Sequence, residues 1–251
     1  MADIDALLAQ ANQLTRSEDW GRAADAWDRV VDAANALDPR PNFQKADLVA
    51  RQAGCLSRAG RHDEARVLFA ELHDYFCAFV GPDCDEALNV AGQWALADAA
   101  AGERAAGIDR LRTAVAAIEA APDASGVRAQ VTVVQRLAQL LQADGATGDA
   151  LDLLGAWAAR LEAPPHGDGE RRFQAGQLLE TLGEHAVRAE RHADAVEALR
   201  RSIDHYEAVW GKGDDTTASA LRTLADALDA LGRRGEASAA RRRADEADRG
   251  A

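Results

Sequence analysis

Small residues recur at fixed places along this chain of 251 residues, and that recurrence decides what it can fold into. Taking Glu18, Gly60, Gly102, Gly145, Glu190 and Gly232 as markers, the intervals are 42, 42, 43, 45 and 42 residues. Five residues after each marker stand Ala23, Ala65, Gly107, Ala150, Ala195 and Ala237. Seven before each stand Ala11, Ala53, Ala95, Ala138, Gly183 and Ala225. A third column, nine after the marker, holds Trp27, Phe69, Leu111, Leu154, Leu199 and finally Arg241. Self-similarity at a period of roughly 20–50 residues is the mark of a repeat array. The chain therefore divides into six units.

Each unit reads as a helical hairpin. Between markers, apolar residues return at three and four, as in Leu179, Leu182, Ala186 and Val187, which is a helical stripe. A marker glycine takes the left-handed conformation that closes a helix, and a second helix follows it. Small side chains on both helices let their axes approach to about 8 Å, the close end of helix packing. Between units lie the breakers DPRP at Asp38, VGPDCDE around Gly81, APDASG around Pro122, APPHGDG around Pro164 and WGKGDDT around Gly211. Aspartate or threonine after these breaks is expected to cap the next helix. The pattern predicts twelve helices and no strands, with EAPPHGDGERR as the longest irregular joint.

Composition narrows the partners. A formal net charge of −13 opposes general binding to nucleic acid or to an anionic membrane. Three cysteines, Cys55, Cys77 and Cys84, are too few and odd in number for a disulfide framework. The start MADIDALLAQANQ lacks the cationic and apolar segments of a secretory signal. No apolar run approaches the roughly 20 residues of a membrane span. These features predict a soluble, cytoplasmic protein. Lys45 and Lys212 are the only lysines among 29 basic residues, a bias expected of a GC-rich bacterial genome.

The columns resemble the tetratricopeptide repeat, whose signature ends in A-x3-F. The segment from Ala65 to Phe69 and that from Ala23 to Trp27 match this ending. The present period exceeds the usual one by about two helical turns, which predicts longer helices. That longer form resembles the repeats of kinesin light chain and its bacterial relatives, where a GpdhpdT link joins units. GPDCDEA at Gly81 and GKGDDTT at Gly211 are similar to this link. HEAT and armadillo arrays share the period range but do not predict the glycine-to-alanine spacing. Unit three departs from the pattern: Asp98 replaces a core apolar residue and Gly107 a core alanine, so loose packing is expected there. The resemblance implies an all-α, right-handed α-solenoid of six hairpins forming one domain over 1–251. Its repeats fall at about 3–40, 41–81, 82–123, 124–165, 166–211 and 212–251.

No motif for catalysis is present: there is no phosphate loop, no G-x-S-x-G elbow and no H-E-x-x-H. His185 follows Glu184 without a second histidine four residues on. His73, Cys77 and Cys84 are the nearest approach to a metal set, but no fourth ligand lies at suitable spacing. No metal or other cofactor is expected. Trp20, Trp27, Trp94 and Trp157 fall on packing columns, while Trp210 ends a helix and is expected to be half exposed. Arg241, Arg242 and Arg243 occupy the last helix and are expected to solvate a C-terminal cap, with the following ADEAD neutralising them.

The resemblance also implies that the first helix of each hairpin lines a concave side. The row nine before the marker then reads Ala9, Arg51, Gln93, Arg136, Thr181 and Thr223. Arg58, Asn89, Gln135, Gln139 and Gln142 share that face, and Glu180, Glu184, Asp226 and Asp229 make its C-terminal end acidic. Arginine forks onto carboxylates, and amides bond a peptide backbone of any sequence. These residues predict a protein-interaction module that takes an extended peptide or partner protein with an acidic segment or free carboxylate. A regulator that senses a peptide or metabolite is the alternative; an enzyme is not expected.

Overall fold

A computed structural model describes residues 4–163 and 169–249, and within them the chain is all-helical. The hairpins are α1 (Ile4–Arg16) with α2 (Trp20–Leu37), α3 (Phe43–Arg58) with α4 (His62–Phe79), and α5 (Asp85–Ala100) with α6 (Arg104–Ala120). They continue as α7 (Val127–Ala143) with α8 (Thr147–Glu162), α9 (Gly169–Arg188) with α10 (His192–Trp210), and α11 (Ala218–Ala230) with α12 (Arg234–Ala247). A short 3₁₀ turn, Asp215–Thr217, precedes α11 and was not foreseen from the sequence. Residues Pro164 to Asp168, the centre of the long joint, lie outside the described residues. The chain forms two compact units, Met1–Val133 and Val134–Ala251. From α1 to α6 in the first unit, and from α8 to α12 in the second, each helix packs against the next.

Every marker is left-handed. The φ angles are 58° at Glu18, 79° at Gly60, 92° at Gly102, 87° at Gly145, 58° at Glu190 and 74° at Gly232. At each one the marker N–H returns to the carbonyl three residues back, and the next N–H returns to the carbonyl five residues before it. In the second hairpin these are Gly60 N to Ser57 O at 3.2 Å and Arg61 N to Leu56 O at 2.9 Å. In the fifth they are Glu190 N to Val187 O at 3.0 Å and Arg191 N to Ala186 O at 2.9 Å. This is the Schellman closure, which satisfies carbonyls that a helix end leaves bare. The second helix then starts without a side-chain cap in all six hairpins.

Both small columns are buried throughout. Gly183 shows why size matters there, since a Cβ added to it would lie 2.4 Å from Leu199 Cγ. Ser202 Oγ, on the same close contact between α9 and α10, donates to Gly176 O at 2.8 Å. Trp27, Phe69, Leu111, Leu154 and Leu199 fill the third column as core residues. Arg241 in that column is 48 % exposed on α12 and pairs with Asp226 and Asp229 at 3.1 and 2.7 Å. Arg243 pairs with Glu207 at 2.6 Å. Acids on α10 and α11, rather than the ADEAD that follows, thus pair with Arg241 and Arg243, while Arg242 donates to Ser238 Oγ at 3.2 Å.

The first helices find varied caps. Asn42 Oδ1 accepts from Lys45 N at 3.0 Å, and Cys84 Sγ accepts from Ala87 N at 3.4 Å. Asp85, the first residue of α5, accepts from Gly126 N at 2.6 Å, tying the α6–α7 loop to the start of the first helix of the hairpin before it.

Unit three is not loosely packed, and its anomaly has partners. Asp98 is fully buried. Its Oδ2 accepts from Arg110 Nε and a terminal guanidinium nitrogen at 3.1 Å each. Arg66 Nε lies 2.7 Å from Oδ1 as an ion pair off the N–H axis, so that oxygen lacks a hydrogen bond. Arg110 in turn stacks on Trp94, its guanidinium carbon 3.1 Å from the ring centroid. The positions equivalent to Asp98 in the other hairpins are Leu14, Leu56, Leu141, Ala186 and Leu228. Those equivalent to Arg66 and Arg110 in the first hairpin are Ala24 and Ala26. One polar triad has replaced an apolar one.

Two measurements test these packing rules. A non-glycine residue in the left-handed region costs about 1–2 kcal/mol, and glycine gives part of this back as chain entropy. Glu190→Gly is therefore expected to raise stability by about 0.5–1 kcal/mol, seen as a higher urea midpoint at unchanged slope. Asp98→Leu leaves two half-buried guanidinium groups without their buried carboxylate, Arg66 keeping only the exposed Asp63, and is expected to cost about 3 kcal/mol. The triple change Asp98→Leu, Arg66→Ala, Arg110→Leu restores the apolar pattern and is expected to recover most of that loss in the same titration.

Candidate functional site

In the first unit the expected row lies on α3 and α5. Arg51 and Arg58 are exposed and each leans on a tryptophan, with guanidinium carbons 5.5 Å from the Trp27 ring centroid and 5.1 Å from that of Trp20. Such stacking holds a guanidinium over a fixed spot while its donors stay outward. Arg51 Nε also meets Asp47 at 2.8 Å, an exposed pair one turn away that contributes little. Arg58 donates to Gly54 O at 3.3 Å. Asn89 is exposed and Gln93 half-buried on α5. The sequence places these four correctly on first helices; the tryptophan supports were read only as core.

In the second unit the amides are engaged. Gln135 donates to Thr181 Oγ1 at 2.8 Å and to Gln177 O at 3.4 Å. Gln142 donates to His185 O at 3.2 Å and accepts from Arg188 at 3.4 Å. These bonds fasten α7 to α9. Gln139 is exposed, whereas Arg136 is half-buried and burial lowers its guanidinium pKa. Glu180 accepts from the Tyr206 hydroxyl at 2.7 Å. Burial pushes the Glu180 carboxyl upward, and it pushes the Tyr206 hydroxyl upward as well. Glu184 pairs with Arg188 at 3.4 Å. The acidic end of the row is thus partly neutralised from within, as Arg241 does for Asp226 and Asp229.

The remaining candidates have structural partners. Cys77 Sγ sits 3.6 Å from the His73 ring nitrogens, while Cys84 is committed to the α5 cap. Burial raises both thiols and lowers His73. Among the described residues no three His, Cys, Asp or Glu side chains converge as a metal requires. Trp27 and Trp157 are buried, Trp20 and Trp94 partly so, and Trp210 is exposed. Among the described residues no helix is long and apolar enough to cross a membrane. Lys45, buried at the start of α3, drew no attention in the sequence beyond its rarity as a lysine.

Solved structures share this architecture. BtubC (BKLC) from P. vanneervenii superposes with a TM-score of 0.67 at 14% identity, covering 98% of this chain and 92% of that one. The putative kinesin light chain TPR-like repeats of Podosopora anserina give 0.59 at 18% identity, covering 83% and 97%. A Rap protein complexed with Competence and Sporulation Factor gives 0.57 at 13% identity, covering 96% and 73%. The chain thus has the tetratricopeptide-like repeat fold. No family model matches the sequence, and no curated protein is significantly similar to it.

One titration follows from α9. His185 is buried, and its Nδ1 has no partner among the described residues. Burial, helped by Arg188, lowers its pKa from 6.5 to about 4. Below 6.5 the unfolded chain takes up a proton that the folded chain refuses, so stability falls as pH drops from 6.5 to about 4. The loss is on the order of 3 kcal/mol. His185→Met is expected to flatten that limb, measured as urea midpoints at several pH values; Glu180, raised by burial, acts in the opposite sense and cancels in the comparison.

Proposed function

We propose that this protein is a binding module for an extended peptide or partner protein, engaged along the first helices of its hairpins, rather than an enzyme. The observation that carries the reading is the pair Arg51 and Arg58, exposed and held over Trp27 and Trp20, beside the amides Asn89 and Gln93. In a chain of charge −13, this row offers forked donors for carboxylates and amides for a peptide backbone. The ligand is therefore a segment with acidic side chains or a free carboxylate. On α7, Gln139 and Arg136 offer related chemistry in the second unit, separately from the first. The fold supports the reading, since repeat arrays present long surfaces to partners. The Rap protein of the same fold was solved with Competence and Sporulation Factor bound.

Partner capture from the native host supplies the test. Once a partner is identified, Arg51→Glu with Arg58→Glu is expected to weaken its binding at least tenfold, because two charge-assisted contacts become repulsions. Both side chains are exposed, so melting and helicity are expected to stay nearly unchanged. Normal binding by the double variant overturns the assignment of this face.

A further inference from the structure

Beside the α2–α3 turn, wholly within the first unit, lies a cavity of about 290 Å³. Its polar lining is Asn35, Asn42, Lys45 and Glu71, and Tyr75 and Pro39 contribute apolar walls. Lys45 is the unusual member, only 9 % exposed. Its ammonium donates to Asn35 Oδ1 at 3.2 Å, and among the described residues that neutral oxygen is its one partner. Asp38, the carboxylate whose pKa Lys45 helps to lower, is already gripped by Arg40 at 3.0 and 3.2 Å. An ammonium carries three donors, and burying a cation is costly unless it is paired and hydrogen-bonded; the acids nearest Lys45 are Asp38, engaged by Arg40, and Glu71 in the cavity lining. The first turn of α3 adds the positive end of its backbone dipole to the same place.

Tyr75, one wall of this cavity, belongs to an aromatic cluster. Tyr75 meets Phe43 at 5.9 Å and Phe79 at 4.7 Å between ring centroids. Phe43 and Phe79 are 51 % and 68 % exposed. Exposed rings next to a cavity wall, with a buried cation in the same cavity lining, suit a ligand with one apolar group next to one negative group.

We propose that this cavity binds a single carboxylate carried beside an apolar side chain, such as the C-terminal residue of a peptide or a small aryl acid. Lys45 and the first turn of α3 receive the carboxylate, and the Tyr75, Phe43 and Phe79 rings receive the apolar group. Glu71 on the exposed rim disfavours a second negative charge. The site stands apart from the Arg51 and Arg58 row and does not depend on it.

The experiment uses the full chain, the peptide Gly-Gly-Phe, its C-terminal amide, and 3-phenylpropionate, titrated by calorimetry. The free-acid peptide is expected to bind at least about tenfold more tightly than the amide, as loss of a charge-assisted bond requires. Comparable binding of 3-phenylpropionate assigns the site to small acids; much weaker binding assigns it to peptide ends. Lys45→Met, which keeps the aliphatic stem, is expected to abolish the difference between acid and amide. Because Lys45 and the exposed Lys212 are the only lysines, amine acylation read by mass spectrometry gives a second measurement without any substitution. The acid ligand is expected to protect Lys45 and not Lys212. Failure of both acids to bind, equal binding of acid and amide, or unprotected Lys45 overturns the proposal, whether or not the methionine variant folds.

Discussion

A single backbone conformation repeated six times organises this molecule. The left-handed residue at the end of each first helix turns the chain through two carbonyl-directed bonds, and both bonds are made by main-chain atoms. Because the turn needs no side-chain cap, the residue after the marker is free for other work. In three hairpins it is an arginine: Arg61, Arg191 and Arg233 pair with Glu64, Asp194 and Glu236 three residues on. Arg61 also reaches Asp25 at 2.6 Å, and Glu236 also receives Arg200 at 2.7 Å, each joining second helices of successive hairpins. One turn geometry thus gives the array both its hairpin angle and a row of exposed ion pairs between neighbours.

The fold was legible because its constraints are local and repeated. A left-handed turn and a close helix contact each demand a small or permissive residue at one register, and six copies make the demand visible. The two markers that are glutamate show the limit, since only the spacing identified Glu18 and Glu190 as turn residues. Asp98 shows another. Its column revealed that an apolar position had become acidic, and the simplest expectation was a loosened core. The outcome depended on Arg66 and Arg110, which occupy two further registers on two other helices. No single column contains that triad; the packing of α4, α5 and α6 does.

The candidate surface was legible in position and not in engagement. Arg51, Arg58, Asn89 and Gln93 stand where the spacing puts them. The spacing did not reveal that Gln135 is spent on Thr181, 46 residues away, or Glu180 on Tyr206, 26 residues away. Side-chain pairing across helices is decided by reach and rotamer, and neither has a periodic signature. The consequence for binding is physical. Exposed donors without strong internal partners keep their hydrogen-bonding capacity for a ligand, whereas Gln135 and Gln142 would have to surrender bonds already made. This separates the arginine row of the first unit from the amides of the second as the proposed recognition surface.

The same distinction bears on why lysine stands at position 45 in a chain that otherwise uses arginine almost throughout. A guanidinium has five donors in a rigid plane and is served well by carboxylates, as Asp98, Asp229 and Glu236 serve their arginines. Beside Asn35 and Asn42 the ammonium has one near neutral acceptor. An ammonium is a compact point charge that one amide oxygen partly satisfies, and Lys45 lines the cavity. On the proposed reading, position 45 suits a compact cation that can be buried beside a neutral amide and still meet a carboxylate that arrives from outside.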